Sequence, residues 1–140
     1  MGKEITSNKK GFFEYEITDH FEAGIVLTGP EIKSIRAGKV NLTGSHARII
    51  QDELFIINMH IESKDSDPTK TRKLLMHKSE INKLIGKTQQ KGLTLIPLRL
   101  YLKNGRAKIE LGLGRGKKLH DKRETIKKRD TERSQRREEE

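Results

Sequence analysis

The run Leu93-Thr94-Leu95-Ile96-Pro97-Leu98-Arg99-Leu100-Tyr101-Leu102, followed by Lys103-Asn104-Gly105-Arg106, constrains the fold more than any other part of the chain. The apolar run is long enough for a strand that crosses a core. Asn-Gly adopts the positive φ angles of a type I′ turn at little cost. After the turn, Ile109, Leu111 and Leu113 alternate with Glu110 and Gly112. A long antiparallel hairpin is therefore expected, with one face buried.

Residues 1–114 supply partners for that hairpin. Over residues 13–17, Phe13, Tyr15 and Ile17 alternate with Glu14 and Glu16, the pattern of a half-buried strand. Residues 21–27 read as a second strand, in which Gly24 marks a bulge or a close backbone approach. Residues 45–61 read as another hairpin, turning through Gln51-Asp52-Glu53. Thr28 and Glu31 have the spacing of a capping box, Pro30 suits a first turn and Gly38 suits a helix end, so a helix is expected at about 29–37. A second helix is expected over 79–90, capped by Ser79, with Ile81, Leu84 and Ile85 on one face. Residues 1–12 are polar and are expected to be loose until an RNA or the body orders them, and residues 62–72 form a long polar loop.

About six short antiparallel strands with two or three short helices lose their exposed edges by closing on themselves. The expected fold is mainly β: a small closed antiparallel Greek-key barrel, OB-like, over residues 1–114. Residues 115–140 form a basic C-terminal tail. The tail holds eleven Lys or Arg and seven Asp or Glu, with only Leu119 and Ile126 as sizeable apolar side chains. Such a segment cannot offset its own ordering entropy unaided. Glu124 and Lys128, like Glu132 and Arg136, are spaced for helical i, i+4 pairs, so the tail can become helical against a partner.

Net charge is +10 over 140 residues, and body and tail are both basic, which points to a polyanion, most simply RNA. An anionic membrane fits poorly, because the tail has no apolar face with aromatic anchors and no long apolar run exists. The segment Met1-Gly2-Lys3-Glu4-Ile5-Thr6 lacks the apolar core of a signal peptide. The chain has no cysteine, which removes thiolate nucleophiles and Cys-based zinc sites and fits a reducing cytoplasm.

Candidate catalytic chemistry is thin. Gly112-x-Gly114-x-Gly116-Lys117 fails as a phosphate loop, since Leu111 stands where the first Gly belongs and Lys118 where the hydroxyl belongs. A strand leaving the barrel is the better reading. His20, His46, His60, His77 and His120 show no metal-ligand spacing, and no nucleophile–base pair is legible. No enzyme, cofactor or metal is expected. The basic residues say more. Lys33, Arg36 and Lys39 lie at the first helix, Arg72 and Lys73 follow the long loop, and Arg106 and Lys108 follow the Asn-Gly turn. These are positions for phosphate contacts. Aromatic residues make up only 4% of the chain, which argues against a row of base-stacking platforms and for recognition of a folded RNA by shape.

Several blocks together resemble one family. Phe21-Glu22-Ala23-Gly24-Ile25, Glu31-Ile32-Lys33-Ser34-Ile35-Arg36-Ala37-Gly38-Lys39, Asn41-Leu42, Thr71-Arg72-Lys73-Leu74-Leu75 and Gly116-Lys117-Lys118-Leu119-His120-Asp121-Lys122-Arg123 are similar, in this order, to the SmpB family of SsrA-binding proteins. Phe13 departs from it, standing where the family often has His. The resemblance implies a cytoplasmic factor, monomeric in solution. It would bind the tRNA-like domain of transfer-messenger RNA and carry it to stalled ribosomes. It places an RNA face on Asn8, Glu22, Leu75 and Lys108, with Arg36 and Arg72 as neighbours, and Lys9, Lys33 and Lys73 are further basic candidates for RNA contact. It also implies that the tail is disordered when free and becomes helical in the decoding centre and empty messenger channel, through Gly116, Lys117, Lys118, His120, Asp121, Lys122, Arg123, Lys127, Lys128 and Arg129. The alternative from a different class is a structural or assembly protein bound permanently to ribosomal RNA.

Overall fold

In the computed structural model, which describes residues 2–64, 66–89 and 92–117, the elements run β1 (Lys3–Ser7), α1 (Lys9–Glu14), β2 (Tyr15–Ile25), α2 (Gly29–Arg36), β3 (Val40–Asn41), β4 (His46–Ile50), β5 (Glu53–Ile57), β6 (His60–Ile61), β7 (Arg72–Leu75), α3 (Lys78–Thr88), β8 (Leu93–Lys103) and β9 (Arg106–Gly116). The Asn-Gly hairpin is its spine. Asn104 and Gly105 have φ of 52° and 74°, so the turn is of the primed type, and it fixes the register Lys103↔Arg106, Leu102↔Ala107 and Tyr101↔Lys108.

Six strands close a ring in which every neighbouring pair is antiparallel: β8–β4, β4–β5, β5–β7, β7–β2, β2–β9 and β9–β8. β1 adds to β8 outside the ring, and β3 and β6 form a separate two-stranded ladder. Closure removes the edges that a small open sheet would leave unpaired. Inside lie Ala23, Ile25, Ala47, Leu54, Ile56, Leu74, Leu95, Leu100, Ile109, Leu111 and Leu113, and the same core takes in Ile35 from α2 and Leu84 from α3. The mainly β barrel with short helices is the architecture expected from the strand pattern.

The expected β4–β5 hairpin forms without glycine: Gln51 and Asp52 themselves take φ of 50° and 63°. α2 also forms as expected. The Thr28 hydroxyl accepts from the Glu31 N–H, and the Glu31 carboxylate accepts from the Thr28 N–H at 3.0 Å, closing the capping box.

Other expectations are corrected or settled. Residues 2–12 are ordered by the body itself. β1 pairs with Arg99–Leu102 of β8, and Asn8 caps α1 by accepting from the Gly11 N–H at 3.0 Å. Asn8 Nδ2 donates to the Pro97 carbonyl at 2.9 Å and its backbone N–H to the Leu98 carbonyl at 2.7 Å. Pro97 has no N–H to give the ladder, the β8–β9 register slips between Pro97 and Arg99, and Asn8 uses the carbonyls there. Residues 13–17 are not one strand, because Phe13 and Glu14 finish α1. β2 then runs unbroken through the two segments expected as separate strands. α3 starts at Lys78 with His77 at the cap position and no side-chain capping bond, so Ser79 lies inside it. β9 extends to Gly116, past the boundary expected after residue 114. Its glycines have a packing reason. A Cβ on Gly112 would stand 2.7 Å from Leu98 Cδ1, and one on Gly114 2.9 Å from Ile17 Cδ1 and 3.0 Å from the Glu16 carbonyl oxygen. Bare backbone there lets β2, β8 and β9 close up.

One buried ion pair ties the chain together. Arg72 and Glu31 side chains are each 1% exposed, and Arg72 Nε donates to Glu31 Oε2. Arg72 also donates to the carbonyls of Met59 at 2.8 Å, Lys70 at 3.1 Å and Pro68 at 3.1 Å. Burial pushes the Glu31 carboxyl up, but the Thr28 N–H and the Arg72 guanidinium outweigh it and hold it below the usual carboxylate range. Its folded value is depressed, so its stabilisation is present above the unfolded value near 4.3 and is lost as pH falls through the lower folded value. Arg72→Ala leaves the buried Glu31 charge only Lys70, 3.5 Å away and partly exposed, as a cationic partner, and should cost about 3–5 kcal/mol in urea unfolding at neutral pH. In the variant the cost should shrink as pH falls through the ordinary carboxylate range. A loss below about 1 kcal/mol would contradict the role given to the pair.

Candidate nucleic-acid interface

The outer face of β2, β7 and β9 forms one side of a groove of about 770 Å³, and the start of α3 forms the other. Strand alternation puts the parts there. In β7, Arg72 and Leu74 turn inward while Lys73 and Leu75 turn out, and Leu75 is 53% exposed. Gly24 pairs with Leu75 on one side and with Lys108 on the other. With no side chain of its own, it leaves the space between them open. Where its Cβ would stand, Leu75 Cβ is 3.5 Å and Lys108 Nζ 3.7 Å away. Glu22 lies two residues back on the same face. His77, Glu80 and Lys83 line the opposite wall.

Glu22 is held in place. Tyr101 Oη donates to Glu22 Oε2, and Lys103 Nζ stands 3.7 Å from the same oxygen. The Tyr101 bond is the largest influence and lowers the carboxyl below its usual range. Partial burial opposes it, and Lys103 and Lys108 reinforce it. Burial and the facing carboxylate push the Tyr101 hydroxyl far above the ordinary phenol range. Beside this unit, Glu110 receives His20 Nδ1 at 2.9 Å on one oxygen and Arg99 at 2.6 Å on the other. Arg99 also reaches Glu4 at 3.2 Å and lies over the Phe12 ring, 5.0 Å from its centroid. A carboxylate fixed in its charged form is no general acid, and a phenol with a raised pKa is no base at neutral pH. The surface is built to bind.

The groove unites three of the residues expected on an RNA face: Glu22, Leu75 and Lys108. Lys73, exposed and paired with Glu53 at 3.3 Å, shares the outer face of β7 with Leu75. Lys9, at the start of α1, and Lys33 and Arg36, on α2, are exposed but do not line the groove. Asn8 and Arg72 do not line the groove either. They are 3% exposed each, and their polar atoms are spent inside the fold on the α1 cap and on Glu31. Of the tail positions, Gly116 ends β9 opposite Tyr15, and Lys117 gives its N–H to the Glu14 carbonyl at 2.8 Å. Lys118, His120, Asp121, Lys122, Arg123, Lys127, Lys128 and Arg129 lie outside the described residues. Tyr101, Lys103 and Lys83 were missed. The first two were within reach, since the two-residue Asn-Gly turn by itself sets Tyr101 opposite Lys108.

Comparison with known proteins gives the family. The family model described as SmpB protein matches residues 5–140. The chain belongs to the SmpB family. An SsrA-binding protein of Acaryochloris marina (strain MBIC 11017) is 56% identical over 138 residues, covering 94% of this chain and 90% of that one. One from Bacillus subtilis (strain 168) is 55% identical over 138 residues, covering 94% and 88%. A solved chain from "tmRNA-SmpB: a journey to the center of the bacterial ribosome" superposes with a TM-score of 0.69 and 47% identity, covering 86% of this chain and 93% of that one. The blocks around Glu22, Leu75 and Gly116 that carried the resemblance thus sit on an SmpB-family barrel.

Adjacent leucines of β7 separate scaffold from surface. Leu74→Ala, at a position 1% exposed, should cost about 2–4 kcal/mol in urea unfolding. Leu75→Ala should stay within about 0.5 kcal/mol of the parent chain. Equal costs would show that Leu75 belongs to the core.

Proposed function

We propose that this SmpB-family protein is an RNA-binding factor for rescue of stalled ribosomes, with no catalytic step of its own. It binds the tRNA-like domain of transfer-messenger RNA through the barrel and brings that RNA to the ribosomal A site. The groove in which Glu22, Leu75 and Lys108 meet carries the reading. Lys108 and Lys83 supply charge for phosphates, which position an RNA without reading its sequence. Leu75 offers an exposed apolar surface to a ribose or base. Glu22 accepts from base amino groups or a ribose hydroxyl, the donors by which RNA is told from a plain polyanion. Lys9, Lys33, Arg36 and Lys73 add exposed charge around it.

The tail takes the second step. Its root is fixed where Lys117 meets Glu14, at the end of β9. From there Lys118, His120, Asp121, Lys122, Arg123, Lys127, Lys128 and Arg129 enter the decoding centre and the empty messenger channel, with charge enough to engage ribosomal RNA. Gly116 and Lys117 act as the joint between the two parts. Such work belongs in the cytoplasm, where ribosomes translate. Among the described residues no helix is long and apolar enough to cross a membrane. The names of the relatives, SsrA-binding proteins, favour a factor that arrives with its RNA over a permanent ribosomal component.

Lys108→Ala should weaken binding to the tRNA-like domain and lower the slope of log affinity against log salt by about one phosphate's worth. An unchanged slope removes Lys108 from the contact surface. Truncation after Lys117, which leaves β9 whole, should spare RNA affinity in a filter-binding assay and abolish tagging on ribosomes stalled on truncated messages. A large affinity loss, or full tagging activity, would contradict this division of labour.

A further inference from the structure

Glu22 has two carboxylate oxygens, and the fold treats them differently. Oε2 accepts the Tyr101 hydroxyl and faces Lys103 Nζ at 3.7 Å. Among the described residues, no hydrogen bond or ion pair reaches Oε1. Tyr101 is itself only 8% exposed, and its ring is fixed on β8 opposite Lys108. A tyrosine has two side-chain torsions, and packing holds both here, so its hydroxyl is a rigid donor. The Glu22 side chain is 44% exposed and would otherwise spread over several rotamers.

We propose that Tyr101 is a positioning residue for RNA recognition. Its hydroxyl holds Oε2 of Glu22 so that Oε1 faces the groove as a single prearranged acceptor for an amino or imino group of an unpaired base, or for a ribose hydroxyl. The inference rests on the reading of the groove as the RNA face. It adds a division of labour within that face. An ionised carboxylate repels a phosphate, so the Glu22 side of Gly24 selects an N–H or O–H donor while the Lys108 side takes a phosphate. Holding the acceptor in advance removes an ordering cost that binding would otherwise carry.

The groups facing Glu22 set its response to acid. Tyr101 and Lys103 face it from β8, Lys108 and Glu110 from β9, and His20 lies on its own strand. Glu110 is already engaged by His20 and Arg99. The Tyr101 hydroxyl is thus the neutral donor whose removal alters Glu22 without altering the charge of the face. With it, Glu22 stays ionised well below neutrality. Without it, burial is less opposed and the carboxyl protonates nearer its ordinary range.

The test uses the full chain and the tRNA-like domain as probe. Tyr101→Phe keeps the ring and should reduce affinity about five- to tenfold at neutral pH. The parent protein should hold its affinity as pH falls into the ordinary carboxylate range, from about pH 5 to about pH 4, whereas the variant should weaken further there. In a Glu22→Gln background, Tyr101→Phe should change nothing more. An equal loss in that background, or a variant with unchanged affinity and pH profile, would overturn the proposal. Lys108→Ala distinguishes the two levels. If Lys108→Ala and Glu22→Gln both leave affinity untouched, the RNA face fails and this proposal with it. If they weaken binding and Tyr101→Phe does not, only the role of Tyr101 falls.

Discussion

Arg72 carries a full positive charge into a place from which water is excluded, and the chain around it is arranged to meet that charge. Glu31 opposes it from the first turn of α2, and three carbonyls from the approach to β7 and from Met59 take three of its four other N–H donors. A buried pair of this kind contributes little net stability over an apolar equivalent, but it penalises every arrangement that leaves one partner alone. It therefore sets where β7 begins. Once Arg72 points inward, Leu74 must follow it into the core, and Lys73 and Leu75 must face out. A one-residue slip would bury Lys73 and Leu75 and turn Leu74 to solvent.

The same logic runs around the ring. The Asn104-Gly105 turn fixes β8 against β9, Gly112 and Gly114 let β2 approach both, and β2 then presents Gly24 between Leu75 and Lys108. The groove is a consequence of barrel closure. It depends on the absence of one side chain at Gly24 and on the outward registers of three strands. Glu22 gains its fixed orientation from Tyr101, a residue on a strand that does not itself line the groove.

Much of this is legible in the amino-acid order. Asn-Gly dictated the main hairpin, Thr28 and Glu31 dictated α2, and the alternation in residues 107–113 dictated the buried face of β9. What escaped has physical causes. Arg72-Lys73-Leu74-Leu75 puts one basic residue and one leucine on each face, so alternation alone cannot tell the buried cation from the exposed one. Only the partner, Glu31, decides it. Asn8 reads as polar surface until the carbonyls beside Pro97 are seen to need its donors. Phe13, Tyr15 and Ile17 alternate like a strand, but Phe13 completes the helix that Asn8 caps. Of the groove residues, Glu22 and Leu75 came from resemblance to the SmpB family and from no pattern in the sequence, whereas Lys108 was marked also as a basic residue beside the Asn-Gly turn. The link from Tyr101 to Glu22 crosses strands far apart in the chain, although the turn register already set Tyr101 opposite Lys108.

The most direct test of the account is a map of backbone amide shifts in the full chain as the tRNA-like domain is titrated in. The account predicts that the largest changes fall together on Glu22 and Gly24 of β2, Leu75 and Met76 at the end of β7, and Lys108 and its neighbour Glu110 of β9, with α3 around Lys83 next. Changes centred instead on the separate cavity lined by Asn8, Lys10, Glu14, Arg48 and Leu95 would place the RNA elsewhere on the barrel and contradict the central claim.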